Sequence, residues 1–178
     1  MKLKKIVITG GPGTGKTSLI NELEKRGYPC LEEVSRQVIL NARKDGVDQL
    51  FLTEPLLFSE RLMEGRKKQF QEAETHGAPV VFIDRGIPDV LAYMDYAKEA
   101  YPSHFIQACE IMQYDKVFVL APWESIYLSD NERYESFEQA VEIHDYLEAT
   151  YQRFGYDLEN IPFDTIEKRA DYLISLLM

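Results

Sequence analysis

The chain has 178 residues, of which 45% are hydrophobic and 28% charged, a size and balance that fit one globular unit with a full core and exclude a disordered or fibrous chain. Its 30 Asp and Glu outweigh 20 Lys and Arg, for a formal charge of −10; that sign works against nucleic acid or an anionic membrane as partner and favours a small ligand. Cys30 and Cys109 show no C-x-x-C spacing and His76, His104 and His144 are scattered, so neither a disulfide framework nor a zinc or histidine metal site is indicated.

Leu3 to Thr9 is a short β-branched run that ends in glycines, which predicts a strand; it is too short for the roughly 7 to 15 apolar residues of a signal-peptide core. SLINELEKRG has helical spacing with Gly27 as its stop. YPCLEE, at 28–33, predicts a short extended piece, followed by a helix from about Val34 to Lys44 and a turn at Asp45-Gly46. From Glu54 to about His76 the composition predicts a helix, with Leu56, Met63 and Phe70 on one face. PVVFID, at 79–84, reads as a buried strand, PDVLAYMDYAKEAY as one helix with Pro88 in its first turn, and KVFVLAP, at 116–122, as another buried strand. Phe137, Ala140, Val141, His144, Leu147, Tyr151 and Phe154 mark one stripe of a long helix, on which His144 reads as a core or boundary residue. A strand near LENIPF and a helix with Ile166, Ala170, Leu173 and Leu177 on one face complete the chain.

Strands alternating with helices, apolar on both faces, imply a parallel sheet with helices packed on either side, a three-layer α/β/α architecture whose ligands sit at the carboxyl ends of the strands. No stretch approaches the roughly 20 apolar residues of a membrane span, so a cytoplasmic location is expected.

At the end of the first strand stands GGPGTGKTS, residues 10–18. Gly10 to Thr17 matches G-x(4)-G-K-[ST] in the strand–loop–helix context which that pattern needs. Glycines let successive N–H groups converge, and the following helix adds the positive end of its dipole, which together make a phosphate cradle. Gly11, Gly13, Thr14, Gly15, Lys16, Thr17 and Ser18 are therefore the expected nucleotide-binding residues. Lys16 is expected on the β- and γ-phosphates and the Thr17 hydroxyl on magnesium.

Asp84 closes the strand VVFID, where an acidic residue can hold magnesium or its water; capping the helix that follows is the other reading. Arg85 can clamp a phosphate or form a plain surface ion pair. In LEEVSR, Glu33 and Arg36 are three apart and would share a helix face, either as a salt bridge or as an acceptor site in which Glu33 takes a hydroxyl proton and Arg36 fixes the substrate; Glu32 is the alternative carboxylate. SDNERYES places Asp130 and Arg133 in a polar stretch able to fold over the phosphates, so Arg133 is the expected closing arginine of a small lid near 123–136, with a solvated helix surface as the alternative.

Together GGPGTGKTS, EEVSR, VFIDRGIPDVLAY and the W-x(3)-Y-x(2)-D-x(2)-R spacing of WESIYLSDNER give the chain a resemblance to the P-loop small-molecule kinases. It is most similar to the AAA-domain ATPases that look like the nicotinamide riboside kinase domain of bacterial NAD regulators. The resemblance spans nearly the whole chain. It implies a nucleoside-kinase-like five-stranded parallel sheet in the order 2-3-1-4-5, ATP and Mg2+ as cofactors, and a small hydroxyl or phosphate compound as acceptor. Carried over to matching positions, Gly10 to Ser18 would hold ATP, Glu33 or Asp84 would assist that acceptor, and Arg133 would belong to a lid. The chain departs from the pattern at Gly86, where many nucleoside kinases carry a hydroxyl or aromatic residue, and in having one lid arginine.

Two functions follow as expectations. The first is a kinase that passes the γ-phosphoryl group of ATP to a nucleoside-like acceptor; the acidic Glu32, Glu33, Asp84 and Asp89 around the acceptor disfavour a highly anionic one. The second is a regulatory NTPase whose nucleotide state alters a surface for a protein partner. Pairing with a second copy is compatible with either.

Overall fold

The computed structural model describes residues 3–127 and 135–178. Five strands form one sheet, in the order β2-β3-β1-β4-β5, and every neighbouring pair is parallel. The strands are β1 (Lys4–Thr9), β2 (Cys30–Leu31), β3 (Val80–Asp84), β4 (Lys116–Val119) and β5 (Leu158–Asn160). The register sets Ile8 opposite Asp84 and Thr9 opposite Val119, so the carboxyl ends of the three central strands lie along one edge.

Alternation along each strand divides the core in two. Val7, Val81, Ile83 and Val117 face one side and pack against α4 (Pro55–Thr75), α5 (Ile87–Tyr96) and α6 (Ser103–Ile111), with Tyr151 of α7 (Phe137–Arg153) joining them. Ile6, Ile8, Phe82 and Phe118 face the other and meet Leu19 and Leu23 of α1 (Lys16–Lys25) and Ala170 and Leu173 of α8 (Ile166–Ser175). Residues apolar in both registers are what a strand covered on both faces requires. Among the described residues the remaining helices are α2 (Val34–Lys44), the single turn α3 (Leu50–Thr53) and a 3-10 turn at Glu124–Ile126.

The helix expected over PDVLAYMDYAKEAY, residues 88–101, stops short, and a further helix, α6, that the sequence pattern did not indicate follows it. α5 ends at Tyr96, Lys98 takes a left-handed φ of 59°, and α6 starts after Pro102; a residue before proline is pushed away from helical angles, which breaks the run. α3 was not foreseen. On α7 it is Ile143 that is buried while Val141 is 40% exposed, and on α4 Leu56 is 45% exposed, so each stripe is narrower than the sequence pattern suggested. The last strand is shorter than LENIPF: Ile161 still donates to Val119 O at 3.0 Å, and Pro162, without an N–H, ends the pairing. Among the described residues no helix is long and apolar enough to cross a membrane.

Candidate functional site

The loop between β1 and α1 turns on Gly13 and Gly15, at φ 71° and 78°. Both lie in the left-handed region that side chains disfavour. A Cβ on Gly15 would also stand 2.8 Å from Arg169 Nη1. Thr14 Oγ1 donates to Gly11 O at 3.1 Å and Trp123 N donates to Gly13 O at 3.1 Å, which hold the bend from inside and outside. Gly11 to Ser18 line an open cavity of about 720 Å³ with Arg85, Trp123, Asp164 and Arg169. All seven residues expected at the nucleotide are therefore on one wall, with the Thr17 and Ser18 side chains exposed to it.

Lys16 turns under the loop and its Nζ donates to Asp84 Oδ1, at the end of the neighbouring strand β3. Only 9% and 11% of the two side chains is exposed. Burial lowers the Lys16 pKa, the nearby Arg85 cation lowers it further, and Asp84 opposes both. Among the described residues no three His, Cys, Asp or Glu side chains converge on a common point. A hydroxyl from Thr17 and one carboxylate from Asp84 fit a magnesium ion that keeps water and phosphate oxygens as its other ligands.

A second cavity, of about 440 Å³, opens on the other side of Arg85. Its walls are apolar, from Phe51, Phe58, Leu62, Val90 and Met94, and its inner end is polar, from Glu33, Arg66, Arg85 and Asp89. Arg85 thus lines both cavities. Its backbone has φ 68°, a strained setting for a side-chain-bearing residue, and its N–H donates to Ile8 O at 3.0 Å. The guanidinium reaches Tyr93 OH at 3.1 Å and Asp89 Oδ1 at 3.4 Å. Burial acts to lower its pKa, but Tyr93, Asp89, Glu33 and Asp84 raise it, so it stays charged.

Glu33 caps α2 through Ser35 N at 3.0 Å and pairs with Arg66 Nη2 at 3.0 Å. This corrects the expected Glu33–Arg36 pairing: as a cap, Glu33 precedes the helix instead of sharing its face, and Arg36 is exposed and lines neither cavity. Glu32 is exposed, with its backbone carbonyl bound by Gln69. Burial pushes the Glu33 carboxyl up, yet Arg66, Arg85 and the Ser35 hydrogen bonds outweigh it and bring its pKa to about 2. Asp130 and Arg133 lie outside the described residues, as does half of the expected lid, residues 128–134 of 123–136.

Asp89 is 1% exposed and accepts from Thr9 Oγ1 at 2.6 Å, Gly86 N at 2.9 Å, Arg85 and Tyr151 OH. It ties β1, the turn after β3 and α7 together beneath Arg85. Gly86, the departure noted above, has no room for a side chain: a Cβ would stand 2.6 Å from Tyr151 Oη and 2.9 Å from Tyr114 Cε2.

Arg66, Arg169 and Tyr151 escaped the sequence reading as site residues. Arg66 sits on the buried stripe of α4 between Met63 and Phe70, and Arg169 beside Ala170 and Leu173 on that of α8. A cation at an apolar stripe position is the signal that could have found both.

The profile of the AAA domain family matches residues 5–169. The chain belongs to this family. No curated protein matches it by sequence. Among solved structures it is similar to deoxyadenosine kinase from M. mycoides with products dCMP and dCDP bound, at TM-score 0.71 and 16% identity, over 97% of this chain and 98% of that one. It is similar to NadR protein in complex with NR at TM-score 0.72 and 19% identity, over 99% of this chain and 51% of that one, and to NadR with NAD and AMP-PNP at TM-score 0.67 and 19% identity. At these identities the likeness establishes the fold, that of a P-loop nucleoside kinase, with the sheet order expected from the sequence.

Proposed function

We propose that this AAA-domain protein is a magnesium-dependent kinase that transfers the γ-phosphoryl group of ATP to a small nucleoside-like acceptor. The observation that carries the reading is that two cavities, one walled by a phosphate-binding loop and one apolar with a polar inner end, meet at Arg85 beside the Lys16–Asp84 pair. A site of this volume and lining suits a nucleoside: apolar walls for the base and a few polar groups at the hydroxyl end. The deoxyadenosine kinase named above shares the fold, which favours the same reaction class without identifying the acceptor.

In this reading the ATP phosphates fill the loop from Gly11 to Ser18, and Lys16 leaves Asp84 for the β- and γ-phosphates. Asp84 and Thr17 would hold magnesium, which when bound would supply positive charge against the transferring group. Glu33, kept ionised by Arg66, accepts a hydrogen bond from the acceptor hydroxyl and aims its oxygen at the γ-phosphorus. With a pKa of about 2 Glu33 is a weak base, so it orients the hydroxyl and passes the proton on to solvent; a loose transition state asks for little more. The new oxygen–phosphorus bond forms as the bond to the β–γ bridging oxygen breaks and ADP leaves. Arg85 spans donor and acceptor and stabilises the charge between them.

The test incubates the protein with γ-labelled ATP, magnesium and a panel of nucleosides, nucleotides and sugars, following label into each acceptor. Label in one nucleoside supports the reading. Transfer to none, with hydrolysis raised by a protein partner, would replace it with the regulatory NTPase.

A further inference from the structure

Arg169 is 2% exposed, yet its guanidinium lines the loop cavity. Nη1 donates to Thr14 O at 2.9 Å, and the guanidinium carbon stands 5.6 Å from the Trp123 ring centre. Nε and Nη2 are buried with no hydrogen-bond partner among the described residues.

The other cations of the two cavities have carboxylates: Lys16 has Asp84, Arg66 has Glu33 and Arg85 has Asp89. Among the described residues no carboxylate pairs with Arg169, and burial alone pulls its pKa down. A buried charge without a counter-ion is costly unless an acceptor meets it. In a chain of net charge −10, one unmatched guanidinium beside a phosphate loop marks the place where a ligand supplies the anion.

We infer that Arg169 is a further binding residue of the donor site, whose Nε–Nη2 edge takes an oxygen of the nucleotide polyphosphate while Nη1 holds the loop at Thr14. The inference rests on reading the loop cavity as the ATP site. A guanidinium edge is two parallel N–H donors and matches phosphate oxygens bidentately. The position favours phosphate over base, since the guanidinium lies on Gly15, within the loop that forms the phosphate cradle. Trp123 covers it from the outside, so that ring, the only tryptophan in the chain, also reports what binds.

The experiment titrates wild type, Arg169→Gln and Arg169→Lys with ATP and, separately, with inorganic tripolyphosphate, reading Trp123 emission and binding heat at several salt concentrations. Loss of one charge-assisted contact predicts Kd values about tenfold weaker for both ligands in Arg169→Gln, with a shallower salt dependence and partial recovery in Arg169→Lys. Unchanged affinity, weakening for ATP alone, or weakening with an unchanged salt dependence would each overturn the inference, the last by showing that Arg169 only props the loop. If Arg169→Gln does not fold, Arg169→Lys alone decides, with an affinity equal to wild type for both ligands overturning it. Wild type that binds tripolyphosphate through Arg169 but ignores ATP would sink the donor reading and leave the anion contact standing.

Discussion

Arg66, in the middle of a 21-residue helix, extends its guanidinium under the sheet edge to pair with the Glu33 carboxylate at 3.0 Å and approach Asp84 O at 3.5 Å. It links the cap of α2 to the end of β3, beside the polar end of the second cavity. Only 3% of the Arg66 side chain is exposed, against 21% for Glu33, so the pair is shielded on one side and open to the cavity on the other.

That pair makes stability depend on pH in a defined window. The Glu33 pKa, about 2 in the folded chain, lies below its ordinary value of 4.5. The ionised carboxylate therefore stabilises the fold above about pH 4.5, and the contribution fades as pH falls from there to about 2. The gap in denaturation midpoint between wild type and Glu33→Gln should narrow across this window. A gap that stays constant to pH 2.5 would contradict the assignment. Arg66→Met, which strands the carboxylate, should cost about 3 kcal/mol at pH 7 in urea unfolding.

The Lys16–Asp84 contact predicts opposite effects for its two members. Lys16→Ala should cut turnover by two to three orders of magnitude, as losing one aimed donor to a transferring phosphoryl group does, and should weaken ATP. Asp84→Asn frees the lysine, so ATP binding without magnesium should hold or tighten while magnesium-dependent transfer collapses. Calorimetry with and without magnesium separates the two, and equal weakening of metal-free ATP by both variants would refute the picture.

Gly86→Ala should destabilise the protein by about 1–3 kcal/mol, because the new methyl meets Tyr151 Oη and Tyr114 Cε2 inside contact distance. Urea unfolding measures it directly. Pairing the change with Tyr151→Phe, which removes the nearer atom, should recover part of the loss in a double-mutant cycle; strict additivity would show that the clash lies elsewhere.

Tyr151→Phe alone removes a hydroxyl that donates to Asp89 and accepts from Gly86 N at 3.2 Å. The expected cost is about 1–3 kcal/mol, the range for leaving a buried polar group short of a partner. Because Asp89 also holds Arg85, kcat should fall while the KM for ATP changes little. A stability loss with unaltered kcat would mean that Asp89 keeps Arg85 in place without Tyr151.

Several features were legible before any coordinates. GGPGTGKTS between a β-branched run and an amphipathic helix predicted a phosphate loop, and the structure bends it on Gly13 and Gly15. VVFID predicted a strand with Asp84 at its mouth, and the register places Asp84 level with Ile8 beside that loop. The error at Arg36 has a simple cause: spacing of three along a helix says nothing once Glu33 is the cap, and Glu is not among the residue types that usually mark one. Across Tyr96 to Tyr101 the composition favours a helix that does not form, because the left-handed Lys98 and Pro102 stop it.

The sequence alone determined the nucleotide loop and the alternation that builds a covered parallel sheet, since both are contiguous patterns whose hydrogen bonds and burial are set within a few residues. Tertiary structure decided the partners: Arg66 for Glu33 at a separation of 33 residues, Tyr151 for Asp89 at 62 and Arg169 for Thr14 at 155. Such pairs form only when the packing of helices on the sheet has brought their elements together, and a residue's neighbours in the chain carry no record of which distant charge it will meet.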